Sequence, residues 1–227
     1  SALLITHEHT DHVRGLPVFA GKGHIPVYAS RDTWQAMERK LRLPQTLDKR
    51  EFSSCQDFFI GQMGVEPFPL SHDAADPHGY AFYSAGQKAA AATDLGYISR
   101  RVMRALEGAH SLILESNHDV QLLMNGPYPY YLKRRVISRK GHLSNEDAAC
   151  ALVHLCSCGL KSVMLGHLSE QNNLPSIALR TACEILQREG IMPQKDIRID
   201  TARKETGLAA KALFETPLEA LSKVKGA

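Results

Sequence analysis

Short apolar segments that end in turn residues recur along the chain, and they predict a fold rich in strands. In the second half of the chain these strands alternate with segments of helical periodicity. This order predicts two sheets with helices on their outer faces. The predicted strands are Ala2 to Thr6, Ile25 to Ala29, Asp57 to Ile60, Val65 to Pro69, Gly79 to Ser84, Lys88 to Thr93, Ser111 to Glu115, Lys161 to Leu165 and Asp196 to Asp200.

Capping residues set the limits of the predicted helices. Ser30 is expected to cap a helix that runs through Arg42, and Ser144 with Asp147 forms a capping-box pattern before a helix from Asn145 to Leu155. Pro175 opens a helix that ends before Gly190. A further helix is predicted from Leu95 to Leu106.

Composition favours one enzyme-sized domain spanning residues 1–227. The 227 residues are 44% hydrophobic, and the net charge of +3 does not by itself indicate a nucleic-acid binder. Five cysteines leave at least one unpaired, which argues against a secreted disulfide framework. Without a membrane-length apolar run or a signal-peptide pattern, we expect a cytoplasmic protein that does not bind membranes.

The run from Thr6 to His12 follows the first apolar segment and is dense in metal ligands. His7, His9, Asp11 and His12 provide imidazole nitrogens and a carboxylate, which borderline ions such as Zn²⁺ accept. The alternative is a solvated turn or a tag remnant, but a tag would not interleave acidic residues behind a strand. The run therefore predicts one half of a two-metal site.

Three later residues with side chains that can bind metal stand at the ends of apolar segments. They are His72, Asp94 and His167. Taken alone, His72 is as consistent with a structural role, and Asp94 is better explained as a helix N-cap. Taken in order with the first run, all three become candidate ligands.

These motifs resemble the signature of the metallo-β-lactamase fold superfamily. Later segments, Leu114 to Asp119, Gly141 to Asn145 and Gly166 to Pro175, are similar to the YycJ/WalJ-type branch, a relative of RNase J and RNase Z. The resemblance implies a four-layer αββα sandwich in the α/β (α+β) class. It also implies earlier strands, so we expect an N-terminally incomplete domain, with a helical tail over residues 201–227.

The resemblance further implies the chemistry of the site. His7, His9 and His72 would hold one ion, Asp11, His12 and His167 a second, and Asp94 would bridge two divalent ions, Zn²⁺ or Mn²⁺. A metal-bound hydroxide would attack a phosphodiester of DNA or RNA, as in an exonuclease. Asp11 and His142 are the expected catalytic residues, with His142 contacting a phosphate oxygen or protonating the leaving oxygen.

A basic segment near His142 is the candidate nucleic-acid contact, with tyrosine rings at residues 128, 130 and 131 for stacking on bases. The alternative is a solvated surface. The predicted substrate-binding residues are Lys133, Arg134, Arg135, Lys140, Ser144, Asn172 and Asn173. Oligomeric state stays open, and a homodimer is compatible with the sequence.

Two other functions stay open. One is a small-molecule hydrolase such as a thioesterase, lactonase or β-lactamase, although Asp11 replaces the Cys of the commonest lactamase pattern. The other is a non-catalytic fragment that has kept its ligands.

Several further polar residues are assigned structural roles. Asp73, Glu115, Asn117 and His118 are expected to support the ligands by hydrogen bonds. Cys156, Cys158 and His154 are expected to pack in the core.

Overall fold

The computed structural model describes residues 1–20, 25–54 and 56–202. Its strands are β1 Leu3–Leu4, β2 Val27–Ser30, β3 Lys49–Phe52, β4 Phe58–Ile60, β5 Met63–Pro69, β6 His78–Ser84, β7 Gln87–Ala92, β8 Ser111–Glu115, β9 Ser162–Gly166 and β10 Arg198–Thr201. Its helices are α1 Thr10–Val13, α2 Leu16–Ala20, α3 Arg31–Lys40, α4 Arg100–Leu106, α5 Val120–Asn125, α6 Tyr130–Val136, α7 Asn145–Ser157 and α8 Pro175–Arg188.

The strands form two sheets, as the sequence predicts for an αββα sandwich. The smaller sheet has the order β1-β2-β3 and is parallel, and the larger has the order β10-β9-β8-β7-β6-β5-β4. Strands β4 to β7 pair antiparallel, whereas β7, β8, β9 and β10 run parallel. The carboxyl ends of the parallel strands therefore meet at one edge, where loops can bring polar side chains together.

The main core lies between the large sheet and helices α4, α7 and α8. All five residues of β9 are buried, which is the pattern of a strand covered on both faces. A second cluster packs Trp34 and Met37 of α3 against Ile5 and Val27 of the small sheet. The two clusters fix both sheets, so the loops that leave them start from rigid positions.

Capping predictions are confirmed for α3 and α7. Ser30 accepts a hydrogen bond from the Thr33 N–H, and Ser144 accepts one from the Asp147 N–H. The predicted start of α4 is wrong, because Ser99, and not Asp94, caps that helix by accepting from the Val102 N–H.

The sequence reading missed β3 and four short helices, α1, α2, α5 and α6. In β3 only Phe52 is buried, so the strand lacks the apolar alternation that identifies a strand in a sequence. The helical tail predicted for residues 201–227 lies outside the described residues beyond position 202. Thr201 itself ends β10, so the helical prediction is wrong at this residue.

Within the part of the chain that the structure describes, no helix combines the length and the apolar character needed to cross a membrane.

Candidate metal centre

The His-rich run folds over the end of β1 because α1 begins inside it. His9 stands at the N-terminus of α1, whose first backbone bonds run from the His12 and Val13 N–H groups to the His9 carbonyl. Thr6 Oγ1 lies 3.1 Å from His7 Nδ1 and 3.2 Å from His12 Nδ1. This hydroxyl orients both rings, a role that no pattern in the sequence predicts.

Three imidazoles converge in a first group formed by His7, His9 and His72. His72 Nε2 lies 3.3 Å from His9 Nδ1, and its Nδ1 lies 3.1 Å from the Gly141 carbonyl, to which it donates. A ring nitrogen that donates to a carbonyl leaves the other nitrogen as a lone-pair donor. Two facing lone pairs repel each other unless a proton or a cation lies between them.

A second group, Asp11, His12 and His167, adjoins the first, with Asp94 between them. The Asp94 carboxylate lies 3.3 Å from His12 Nε2, 3.4 Å from His167 Nε2 and 3.7 Å from His72 Nε2. Asp11 Oδ2 lies 3.5 Å from His12 Nε2 and 3.8 Å from His167 Nε2. All seven predicted ligands therefore come together, although they are separated by up to 160 positions in the chain.

Two buried atoms in this cluster fit donors to a cation. His7 Nε2 and Asp94 Oδ2 are both buried and make no hydrogen bond. Burying an unpartnered polar atom costs about 1–3 kcal/mol, and more for a charged group. Both atoms are good metal donors, so the residues present fit divalent ions.

Burial also keeps the first ligand in the form that binds metal. It lowers the pKa of His7 to about 3, with a further contribution from nearby His12. For Asp94, burial acts to raise the pKa, but His12 Nε2 at 3.3 Å and the charges of neighbouring imidazoles outweigh it and hold the pKa well below its usual range. A neutral imidazole and an ionised carboxylate are the species that coordinate cations.

Glu115 connects the ligands to His142. This fully buried residue ends β8, and its Oε1 accepts from His142 Nδ1 at 2.8 Å and from His167 Nδ1 at 2.7 Å. Its Oε2 accepts from the backbone N–H groups of Leu95 and Leu143. The prediction of a supporting role for Glu115 is confirmed by these four hydrogen bonds.

The carboxylate of Glu115 also sets the charge of the neighbouring imidazoles. Burial acts to lower the pKa of His167, but the bond to Glu115 and the nearby Asp94 outweigh it and raise the pKa to about 9. Burial acts to raise the pKa of Glu115, and its bonds to His142 and His167 outweigh that effect and lower it. The carboxylate therefore stays ionised at neutral pH.

Two of the candidate ligands have left-handed backbones. Asp94 has φ of 65° and His167 has φ of 52°, and each directly or closely follows a strand of the large sheet. Residues with a Cβ adopt this region at a cost of about 1–2 kcal/mol. This backbone conformation directs both side chains back over the strand ends and towards the other ligands.

An open cleft of about 330 Å³ lies over the cluster. Its walls include the candidate ligands His9, Asp11, His72, Asp94 and His167, as well as His142. Leu132 and Arg135 come from α6, Tyr128 from the residues just before it, and Ser169 and Asn172 from the loop after β9. The cleft is open to solvent, so a chain-like substrate has access to the ligands.

The cleft contains only part of the predicted substrate-binding set. Arg135 and Asn172 line it, whereas Lys133, Arg134 and Lys140 lie outside its wall. Lys133 Nζ donates to the Met124 carbonyl, and the Arg134 guanidinium lies 6.0 Å from the centre of the Tyr130 ring.

For Ser144 and Asn173 the predicted substrate contact needs correction. Both side chains are buried, and Ser144 caps α7. The Asn173 amide donates to the Ser116 and Asn117 carbonyls and accepts from Asn145. These bonds use the polar groups internally, so neither side chain is available to a substrate.

The other three supporting residues have separate roles. Asp73 pairs with Arg135 Nε at 2.6 Å, which ties the loop after β5 to α6. Asn117 donates to the His167 carbonyl at 2.8 Å. His118 is buried with its Nδ1 unpartnered, and its carbonyl accepts from the Asn145 N–H. Glu8, which the sequence reading did not assign, accepts from the Ala75 N–H and joins the first loop to the His72 loop.

Comparison with known proteins gives a consistent result. Residues 1–168 match the family described as beta-lactamase superfamily domain. The chain is 43% identical to exodeoxyribonuclease YycJ of Bacillus anthracis over 190 residues, which cover 84% of this chain and 72% of that protein. It is 37% identical to exodeoxyribonuclease WalJ of Streptococcus pneumoniae over 207 residues, 90% of this chain and 77% of that one.

Solved structures agree on the fold. The metallo-beta-lactamase fold protein YhfI of Bacillus subtilis superimposes with a TM-score of 0.65 at 15% identity, covering 89% of this chain and 75% of that one. A diphosphatase of the PhnP family gives a TM-score of 0.60 at 19% identity, covering 89% and 68%.

Proposed function

The chain belongs to the beta-lactamase superfamily, in the group of the YycJ and WalJ exodeoxyribonucleases, and from that premise we propose that it is a metal-dependent exonuclease that hydrolyses phosphodiester bonds of DNA. The observation that carries the proposal is the convergence of seven metal donors under an open cleft. Orphaned His7 Nε2 and Asp94 Oδ2 support it, because a cation would satisfy both.

We assign the metal ligands as two sets that share a bridge. His7, His9 and His72 would hold one divalent ion, and Asp11, His12 and His167 a second, with Asp94 between them. When bound, such ions polarise a phosphoryl oxygen and lower the pKa of a coordinated water. Imidazole-rich donors suit Zn²⁺, and two carboxylates with a phosphodiester substrate also suit Mn²⁺.

His142 is the proposed proton donor or phosphate contact. Because its Nδ1–H is held by Glu115 at 2.8 Å, its orientation is fixed and its Nε2 is left for the substrate. It lines the cleft beside Asp94 and His167. A positioned imidazole there can contact a phosphate oxygen or give a proton to the leaving 3′ or 5′ oxygen.

Substrate contacts come from the α6 side of the cleft. Arg135 is the basic side chain in the wall that can meet a phosphate, and its pairing with Asp73 holds it in place until a phosphate competes for it. Tyr128 offers a ring face at the same wall for an unpaired base. Further out, exposed Tyr130 and Tyr131 with Arg134 and Lys140 extend this surface along a strand of nucleic acid.

End-labelled DNA tests the proposal directly. Metal-depleted protein should cut single- or double-stranded DNA only after Mn²⁺ or Zn²⁺ is added back, and His7→Ala and Asp94→Ala should abolish cutting. Glu146→Gln, an exposed carboxylate on α7, is the matched control and should retain activity. RNA of the same sequence decides between the two polymers.

Metal-dependent turnover of a thioester or lactone without cleavage of any oligonucleotide would overturn the nuclease proposal and support the small-molecule hydrolase. A protein that binds no metal would support the non-catalytic fragment. Cytoplasmic location and a homodimer stay predictions.

A further inference from the structure

A second group of metal-competent side chains lies far from the cleft. Glu107 follows α4, and His154 and Cys158 belong to the last turn of α7 and its C-cap. Glu107 precedes the start of β8, whereas Glu115 at the end of β8 belongs to the catalytic centre. The strand rises about 13 Å between its ends, so the two sites lie at opposite edges of the sheet.

The sequence reading placed His154 and Cys158 in the core, and that prediction is wrong for both. His154 is exposed and Cys158 is half-buried, whereas Cys156 does pack against the main core. A spacing of four residues puts His154 and Cys158 on the same outward face of the helix. Their heteroatoms therefore point to the same region of solvent as the Glu107 carboxylate.

The three donor atoms converge on one point. His154 Nε2 lies 2.8 Å from Glu107 Oε1 and 3.6 Å from Cys158 Sγ, and all three atoms lie within 4.8 Å of one another. In a tetrahedral zinc site, bonds to nitrogen and sulfur of ordinary length put these two ligands about 3.6 Å apart. The carboxylate would move back by about 0.5 Å, which its exposed position allows.

The Glu107 carboxylate and the Cys158 thiol both contact His154, so a cation would replace contacts made within the cluster. Lys88 Nζ donates to the Glu107 backbone carbonyl at 2.7 Å, and its charge also interacts with the Glu107 carboxylate. The same His154 nitrogen faces both Glu107 and Cys158, which is the arrangement of ligands around one centre. A nucleophilic triad would instead use both nitrogens of the ring.

We propose that Glu107, His154 and Cys158 form an accessory site for one divalent cation of the Zn²⁺ type, with water in the fourth position. Binding converts the Cys158 thiol to a thiolate, and the released proton passes to solvent. The ion connects the end of α4 to the end of α7, two helices that cover the same sheet. The site thus stabilises the fold and takes no part in hydrolysis.

Cobalt(II) substitution tests the site, because a thiolate ligand gives an intense sulfur-to-cobalt charge-transfer band that nitrogen and oxygen ligands do not give. The proposed ligands of the catalytic centre contain no sulfur, so the band reports only on thiolate sites. The intact chain should show the band, and it should disappear in Cys158→Ser and weaken in His154→Gln. Cys150→Ser, an exposed cysteine on the same helix, is the matched control and should keep it.

Metal analysis gives a second readout. Cys158→Ser should bind one equivalent of Zn²⁺ fewer than the wild type, with unchanged circular dichroism and unchanged rate of any DNA cleavage. No band in the wild type, or a band that survives Cys158→Ser, would overturn the proposal. Loss of DNA cleavage in the same variant would also overturn it, because the site would then be part of the catalytic machinery.

Discussion

Replacing Glu115 by Gln changes the charge and donor pattern of the site while keeping its shape. The native carboxylate accepts four hydrogen bonds, two from ring nitrogens and two from backbone N–H groups. A Gln side chain has one acceptor and one donor end. With its oxygen towards the rings, its NH₂ faces the N–H groups of Leu95 and Leu143.

The opposite orientation is no better. The NH₂ group would then face Nδ1 of His142 and His167, and each ring could accept only by moving its proton to Nε2. His167 would lose the nitrogen assigned to metal binding. The first orientation leaves two buried backbone N–H donors unmatched, and the second leaves two ring N–H donors unmatched unless both rings shift their protons, at a cost of about 1–3 kcal/mol for each unmatched donor.

We therefore expect Glu115→Gln to lower the free energy of unfolding of the metal-free protein by about 2–6 kcal/mol. Metal affinity should fall by about 10- to 100-fold. Urea unfolding at pH 7 and competition with a chromophoric chelator measure the two effects. Glu146→Gln, which also replaces one carboxylate by an amide, should change neither by more than about 0.5 kcal/mol. Wild-type unfolding and metal affinity in Glu115→Gln would refute the assigned role.

Three more outcomes are expected. A Cβ at Gly141 would lie 2.0 Å from the Val136 carbonyl oxygen. Gly141→Ala should therefore lower the free energy of unfolding by about 1–3 kcal/mol, and it should reduce DNA cleavage by displacing His142. Gly15→Ala, where a Cβ meets open space, should change neither thermal unfolding nor cleavage. Burial lowers the pKa of His78 below 6.5 despite the nearby Asp76, so the unfolded chain binds more protons and the free energy of unfolding falls as pH drops below about 6.5. His78→Gln should make this decline shallower by up to about 1.4 kcal/mol per pH unit. Urea unfolding that gives parallel curves of stability against pH for the variant and the wild type would contradict this. Metal at 100 times its Kd should raise the free energy of unfolding by about 2.7 kcal/mol per site. Thermal unfolding with added metal, compared with unfolding in chelator, should show a smaller gain for His7→Asn than for the wild type.

The metal donors were predictable because their chemistry is carried by residue type. Histidine and aspartate at strand ends bring their ligand atoms with them. His7 follows a strand of the small sheet, and His72 and His167 follow strands of the large sheet. Helix caps at Ser30 and Ser144 were predictable for the same reason, since the side-chain oxygen acts within its own turn.

The supporting contacts depend on packing that a sequence does not display. Thr6 holds two rings only because the loop after β1 folds back on itself. Ser144 and Asn173 stand beside functional residues in the chain, but the fold turns both inward. Asp94 resembles an N-cap in the sequence, whereas its left-handed backbone and the separate cap at Ser99 are properties of the folded loop.

The distribution of the ligands along the chain also determines when, during synthesis, the metal site can form. His7 and His167 are 160 positions apart, and at about 5–20 residues per second synthesis needs on the order of ten seconds to proceed from one to the other. A nascent chain that has produced its first histidines still lacks β9. It therefore holds high-affinity donors without the geometry that gives them selectivity, and occupancy by the correct ion has to follow the synthesis of β9 and His167. Metal choice is consequently made by the completed fold.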